Sequence, residues 1–486
     1  MTDDIALWPA HRQAAALAAR SVSSRELLDA FLARIERLNP SVNAVVTLDA
    51  ERGRADAQAA DDARARGAAR GPLHGLPITV KDALAVAGMR STGGATELRD
   101  HVPTTDADVV ANARAAGAFC FGKTNVPRWS GDLQTYNDVF GTTNNPWDVS
   151  VVPGGSSGGP ATAVALGLTA FEIGTDIGGS IRVPAAYCGI AGHKPSYGIV
   201  PTGGYLDHLD GGLTEPDINV HGPLARSVDD LELLLDAFAS PSPDRAKAWR
   251  VQLPPARSQS PAELRIALWS DDPACPASAD TVAAIEAVGD LLARAGSRVD
   301  RTARPAIEAN TASLLGLGLV GAAVTPSMDD ATFAFFESLA SDTNLGGVEA
   351  QLVGSYAARH RQWLAMDRER ARIRAAWADF FAAHDVLLCP VIVRPPFPHL
   401  QEGTIADRII DVDGHDRPYR DLLWWTILIG MAHLPATVVP IGRTADGLPI
   451  GIQVVGPYLE DRTCLAAARM IDGLVEPIGP PPLALS

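Results

Sequence analysis

Three short stretches of this chain concentrate residue types that could perform acyl transfer. Only four lysines (Lys81, Lys123, Lys194, Lys247) stand among 41 basic residues, and Lys81 closes the apolar run Leu76-Pro77-Ile78-Thr79-Val80. An ammonium in such surroundings is desolvated, which lowers its pKa and lets it serve as a base, whereas a guanidinium effectively never releases its proton. The same placement also suits a strand-end lysine that snorkels to solvent.

The second stretch is Gly154-Gly155-Ser156-Ser157-Gly158-Gly159, entering the helix-like run Ala161 to Leu168. Glycines permit close backbone approach to a ligand, and a helix N-terminus collects unpaired N–H donors. The hexad lacks the Gly-Lys-Ser/Thr ending of a phosphate-binding loop, so nucleotide binding fits poorly. It also satisfies the G-x-S-x-G nucleophile-elbow pattern, which would make Ser156 an α/β-hydrolase-like nucleophile with partners such as Asp385 and His433 downstream. A flexible linker is the bland alternative.

The third stretch is Gly174-Thr175-Asp176-Ile177-Gly178-Gly179-Ser180-Ile181-Arg182, whose serine lies 24 residues after Ser156. Successive glycines before a serine let consecutive N–H groups converge on one point, as an oxyanion hole requires, and the serine is placed to attack. An ordinary glycine turn would read the same way. An S-x-x-K arrangement is excluded, because Ile78, Cys120, Ala191 and Asp244 stand three residues before the four lysines.

The elements that must position these groups have an α/β texture. Ser23 and Glu26 form a capping-box pattern ahead of apolar residues at helical spacing, which predicts a helix ending near Asn39-Pro40. Beyond Pro72, short apolar runs alternate with helix-like pieces, as expected for buried strands. The stretch from Ser240 to Pro261 is rich in Pro, Ser and Arg and is the best candidate boundary. Past it come a strand-like Leu264 to Leu268, a helix with Gly296 as its cap, a long helical stretch from about Val348 to His384, and a strand-like Val386 to Pro390. Leu422 to Gly442 is apolar enough to raise a membrane helix, but Pro435 and Pro440 split it into a helix-like and a strand-like piece of buried core.

Composition narrows the function classes. With 486 residues, 47% hydrophobic and 20% charged, the chain has ample material for a large core. A net charge of -16 has the wrong sign for nucleic acid. The start carries acid where a secretory signal needs positive charge, so a cytoplasmic location is expected, with no membrane partner. The five cysteines are dispersed and the 11 histidines show no ligand spacing, so neither disulfides nor a metal site is expected.

Taken together, the lysine after its strand, GGSSGG and GTDIGGSIR resemble the amidase signature family. The resemblance extends to Gly122-Lys123-Thr124-Asn125, Phe140 to Trp147, Gly192-His193-Lys194-Pro195, Leu434-Pro435-Ala436 and Asp446 to Gly451, and is weakest between residues 240 and 430. It implies a single large α/β domain with a mixed central β-sheet surrounded by helices. Along it lie N-terminal helices (1–70), a signature core (71–240), a surface connection (241–263), a variable pocket region (264–430) and a C-terminal core return (431–486). It also implies a Ser-cisSer-Lys triad with Ser180 as nucleophile, Ser156 as bridging serine after a cis peptide bond, and Lys81 as base. Oxyanion donors would be the N–H groups of Ile177, Gly178, Gly179 and Ser180. No cofactor is implied.

The resemblance implies hydrolysis of C–N bonds through an acyl-enzyme, on aryl or aliphatic amides or anilides, with carbamates (urethanes) or esters as further candidates. By position Gly131 and Asp132 are expected in the substrate pocket, with Trp129 and Tyr136 structural. Phe333, Phe335, Phe336, Trp424 and Trp425 are candidates to line a leaving-group pocket. His193 stands where the family often has leucine and is expected to be structural. Two other classes stay open: the ammonia-supplying component of a glutamine-dependent amidotransferase, working with a partner, and a silent binding protein on the same fold. Homodimer formation is a family-level expectation.

Overall fold

In the computed structural model, which describes residues 4–209, 211–340 and 354–485, helices surround a large mixed sheet. Its eight strands run in the order Arg298–Asp300, Arg265–Leu268, Val386–Pro390, Pro449–Val455, Ala436–Arg443, Ala191–Lys194, Val220–Ala225 and Glu172–Asp176. Arg265–Leu268 pairs in parallel with both its neighbours, and every other pairing is antiparallel. Val386–Pro390 and Pro449–Val455 are buried at every position, as strands covered on both faces, and the one polar side chain of the second, Gln453, is hydrogen-bonded to Arg182 and the Pro390 carbonyl. Pro440 sits where the register of its strand shifts, a position that tolerates a missing donor.

The strands before and after the stretch from Ser240 to Pro261 lie in this one sheet, so that stretch is a connection within a single α/β domain and not a boundary. The first long helix, Ser24–Val42, runs through Pro40 and ends on Asn43 in the left-handed conformation, two residues beyond the predicted stop. The Asn39 carboxamide accepts from the N–H groups of Ala44 and Val45, so the chain turns after the proline and not at it. Within the predicted helix from Val348 to His384, residues 348–353 lie outside the described residues, and the helix found is His360–Ala383.

The run Leu422 to Gly442 divides as predicted into a buried helix, Trp424–Gly430, and the strand Ala436–Arg443. Among the described residues the helix long and apolar enough to cross a bilayer is a different one, Ala309–Ser327. Its apolar faces meet the helix Trp424–Gly430 and a cavity described below.

Lys81 belongs to a separate three-stranded sheet, in which Phe119–Thr124 is flanked by Val45–Leu48 and Pro77–Lys81. A buried carboxyl joins this small sheet to the edge of the large one. Glu172 Oε1 accepts from Thr79 Oγ1 at 2.6 Å and Thr124 Oγ1 at 2.9 Å. Burial pushes the Glu172 carboxyl up to about 7, against the pull of these hydroxyls. The junction brings the C-terminal end of Pro77–Lys81 against the edge strand Glu172–Asp176.

Candidate active site

Lys81 is fully buried at the end of its strand. Its Nζ lies 2.7 Å from Ser156 Oγ, 3.0 Å from Ser157 Oγ and 2.7 Å from Thr175 Oγ1. Desolvation lowers its pKa to about 7, although Asp176 and Glu172 favour the charged form. The expectation of a desolvated amine at Lys81 is met, and the snorkelling alternative is excluded by its burial.

Ser156 follows a cis peptide bond from Gly155. Gly155 can only be glycine here, because a Cβ would approach the carbonyl oxygens of Asp132 and Gln134 to 2.6 Å. The next residue, Ser157, donates its N–H to the Ser180 carbonyl at 3.2 Å, which fixes the two glycine-rich stretches side by side. Ser157 then precedes the fully buried helix Gly158–Ala165, with Pro160 harmlessly in its first turn.

The turn carrying Ser180 is folded around one carboxylate. Asp176 accepts from the N–H groups of Gly179 at 2.9 Å and Ile181 at 3.1 Å, and from Arg182 Nε at 3.0 Å and Nη2 at 2.8 Å. Burial works to raise the Asp176 carboxyl, but Arg182 and these donors outweigh it and hold it below the usual range. Gly179 has φ of +122°, and a Cβ there would meet Thr426 at 2.9 Å, so the tight return of the turn needs glycine. Of the four expected oxyanion donors, Gly179 is therefore corrected: its N–H is committed to Asp176. Among the described residues the N–H groups of Ile177, Gly178 and Ser180 meet no acceptor.

Breaking the Asp176–Arg182 pair would leave a buried cation without its counter-charge. For Asp176→Asn we expect a stability loss of about 3–5 kcal/mol in urea denaturation. Displacement of the turn should also lower kcat by about 10²-fold. Wild-type stability in the variant would remove Asp176 from this role.

Ser180 opens on a cavity of about 330 Å³. Trp129, Gly131, Asp132, Ile177, Gly178 and Ser180 form one side. Val320, Ala323, Val324, Met328, Leu423 and Ile427 add apolar surface, and Asp207, Asn219 and Tyr419 are among the cavity's polar lining. Gly131 and Asp132 both line this cavity. The Asp132 carboxylate does not face the cavity uncompensated, since it accepts from Arg408 Nη1 at 2.6 Å, Tyr419 Oη at 2.7 Å and Tyr136 Oη at 3.2 Å. Trp129, expected to be structural, lines the cavity and has φ of +52°.

The five aromatic candidates for the leaving-group pocket are not on its wall. Helical geometry gives the reason for two of them: Leu423 and Ile427, four residues apart, face the cavity, so Trp424 and Trp425 turn away and pack edge-to-face on Trp269. Phe336 stacks behind the wall on Tyr356, at 4.5 Å between centroids. Phe333 and Phe335 also lie off it.

The elbow partners are not assembled either. Asp385 is paired with Arg265 at 2.6 Å, and His433 stacks on Tyr197 with Asp217 3.7 Å away. Neither hydrogen-bonds Ser156, whose partner is Lys81. His193 is buried between Thr437 and Asp461, consistent with a structural residue. Residues missed in the sequence include Thr175 and Ser157, legible only as neighbours within the two glycine-rich strings, and Arg408 and Tyr419, which carry no local signal.

Comparison with known proteins gives the family and the fold. The family model described as Amidase matches residues 26–465. The chain is 35% identical over 479 residues to the A-type component of the glutamyl-tRNA(Gln) amidotransferase of Synechococcus sp. (strain CC9605), covering 93% of each chain. It superimposes on the crystal structure of an amidase with a TM-score of 0.79 at 27% identity, covering 96% of this chain and 100% of the other. A 6-aminohexanoate cyclic dimer hydrolase gives a TM-score of 0.78 at 25% identity, covering 99% and 100%.

Proposed function

Because this chain belongs to the amidase signature family, we propose that it is a stand-alone serine hydrolase of neutral aryl and aliphatic amides, with carbamates and esters of similar shape as secondary substrates. The observation that carries this reading is the buried Lys81 amine, 2.7 Å from Ser156 Oγ, one residue from the point where Ser157 is bonded to Ser180 at the cavity.

A neutral amine has two N–H donors and one lone pair, which suits three hydroxyl neighbours only if one of them donates. Ser157 Oγ donates toward the Thr175 carbonyl at 3.4 Å and so receives from Lys81. Ser156 is the hydroxyl that gives its proton to the Lys81 lone pair and takes one from Ser180. Ser180 Oγ attacks the substrate carbonyl carbon, whose oxygen gathers negative charge facing the N–H groups of Ile177, Gly178 and Ser180. Ser156 then hands a proton, replenished from Lys81, to the leaving nitrogen as the C–N bond breaks. Water, deprotonated through the same relay, attacks the acyl-enzyme ester and frees Ser180 and the acid.

The amidotransferase reading has the 35% identity in its favour. The lack of a cation for the α-carboxylate disfavours it, although Asp207 in the wall would suit the α-ammonium. Glutamine carries an α-carboxylate, and no Lys or Arg lines the cavity among the described residues. Arg408, the near candidate, is bonded to Asp132 and Tyr136. The sequence 341–353 contains no Lys or Arg. A carboxylate entering this cavity would lose hydration without gaining a counter-charge.

A hydrolysis panel of p-nitroanilides, aryl carbamates, aliphatic amides and glutamine, with Ser180→Ala as blank, tests the proposal. Neutral amides should be turned over by the purified chain alone, with glutamine at least about 100-fold lower in kcat/KM, the cost of one unpaired charge. A preference for glutamine, or copurification with a partner needed for activity, would replace this reading by the amidotransferase one.

A further inference from the structure

Of the polar side chains in the cavity wall that have no role in the chemistry above, Asn219 is the carboxamide with both ends unpaired. Asn219 lines the cavity beside Ile177 and Tyr205 and is 1% exposed. Among the described residues neither its Nδ2 nor its Oδ1 has a hydrogen-bond partner. A buried carboxamide with both ends unmatched is unusual, because each unpaired group forfeits its hydration.

The backbone around it holds it there. Asn219 directly precedes the strand Val220–Ala225, whose Val220 is paired with Asp176. The ladder ends at that pair, so Asn219 and Ile177, whose N–H is one of the free donors beside Ser180, are the next residues beyond its end, and both line the cavity. The preceding residue, Ile218, has φ of +67°, and the Asn219 N–H donates to the Asp217 carbonyl at 2.8 Å, closing a three-residue turn. A left-handed conformation is disfavoured for a β-branched side chain and persists only where the surroundings enforce it. Here Arg370 clamps Asp217 through Oδ1 and Oδ2 at 2.9 and 2.8 Å. A strained, anchored turn thus holds an uncommitted carboxamide at the wall of the substrate cavity, just beneath its surface.

We infer that Asn219 is a specificity-determining residue that pairs with a second neutral carboxamide of the substrate, so that the preferred substrates are diamides and not simple monoamides. This rests on the proposed amide hydrolysis. A carboxamide offers one carbonyl acceptor and two N–H donors, the complement of a secondary amide with its own N–H and C=O. A carboxylate or ammonium would match only one end. A plain alkyl chain would match neither and would leave both ends of Asn219 buried and unpaired, and sites of that kind discriminate strongly against the analogue lacking the polar group.

The test compares matched p-nitroanilides, N-acetylglycyl against pentanoyl, and a second pair with the extra amide on the amine side. In the wild-type enzyme kcat/KM should favour the diamide of at least one pair by about tenfold or more. In Asn219→Ala and Asn219→Leu that ratio should fall by about 10- to 100-fold, the Leu variant most. Binding of the same diamide to Ser180→Ala, with and without Asn219→Ala, gives a second readout that needs no turnover. A ratio unchanged by both substitutions, or a wild type indifferent to the second amide, overturns the inference while the amidase reading stands. Absence of any Ser180-dependent amide hydrolysis overturns both.

Discussion

Ser180→Ala should lower kcat for p-nitroanilide hydrolysis by about 10⁴-fold or more, because removing the attacking atom leaves only the contribution of binding and of the oxyanion donors. The fold should be undisturbed, since the Ser180 carbonyl and not its hydroxyl holds the neighbouring Ser157 N–H. Ser156→Ala should also be severe, because it removes the hydroxyl bonded to Lys81 through which the proposed relay passes. The two variants differ in one respect. A serine-directed fluorophosphonate should label wild type and fail on Ser180→Ala. Retained hydrolysis in Ser180→Ala together with complete loss in Ser156→Ala would instead make Ser156 the nucleophile.

The second large effect concerns pH. Burial sets the Lys81 pKa at about 7, and the proposed base is the neutral amine. As pH falls through about 7 the amine takes up a proton, the relay loses its acceptor, and kcat/KM should decline about tenfold per pH unit. Above that region the rate should level off. Lys81→Ala should lower activity by about 10²- to 10⁴-fold and erase this acidic limb from whatever remains. Lys81→Arg should not restore activity, since a guanidinium stays protonated throughout the range. A wild-type profile flat to pH 4, or an acidic limb that survives in Lys81→Ala, would move the base to another group.

Much of the fold class is legible because it depends on local pattern. The short apolar run Val386 to Pro390 reads as a buried strand and is one. Pro435 and Pro440 divide the apolar stretch near the C-terminus for reasons of backbone chemistry alone. The helix expected to end near Asn39-Pro40 runs two residues further, to a left-handed cap at Asn43 beside which Asn39 accepts from the Ala44 N–H. The boundary expected near Ser240 is not one. A polar, proline-rich segment reports exposure, and whether the strands around it share a sheet is a long-range property.

The sequence by itself determined which groups are chemically capable: a lysine behind an apolar strand, two serines in glycine-rich turns, and a run of N–H donors before one of them. Side-chain type and spacing are local, so these could be read without coordinates. Only the tertiary structure decided what each group does to its neighbours. It carried Lys81 from one sheet to the edge of another, beside three hydroxyls, where burial lowers its proton affinity against the pull of Asp176 and Glu172. It withdrew the Gly179 N–H into the grip of Asp176 and left the donors on either side free. It turned Trp424 and Trp425 into core and put Asn219, which no motif marked, into the cavity wall. Desolvation, hydrogen-bond satisfaction and the facing of side chains all depend on atoms distant in the chain, so they come into being only when the chain has folded.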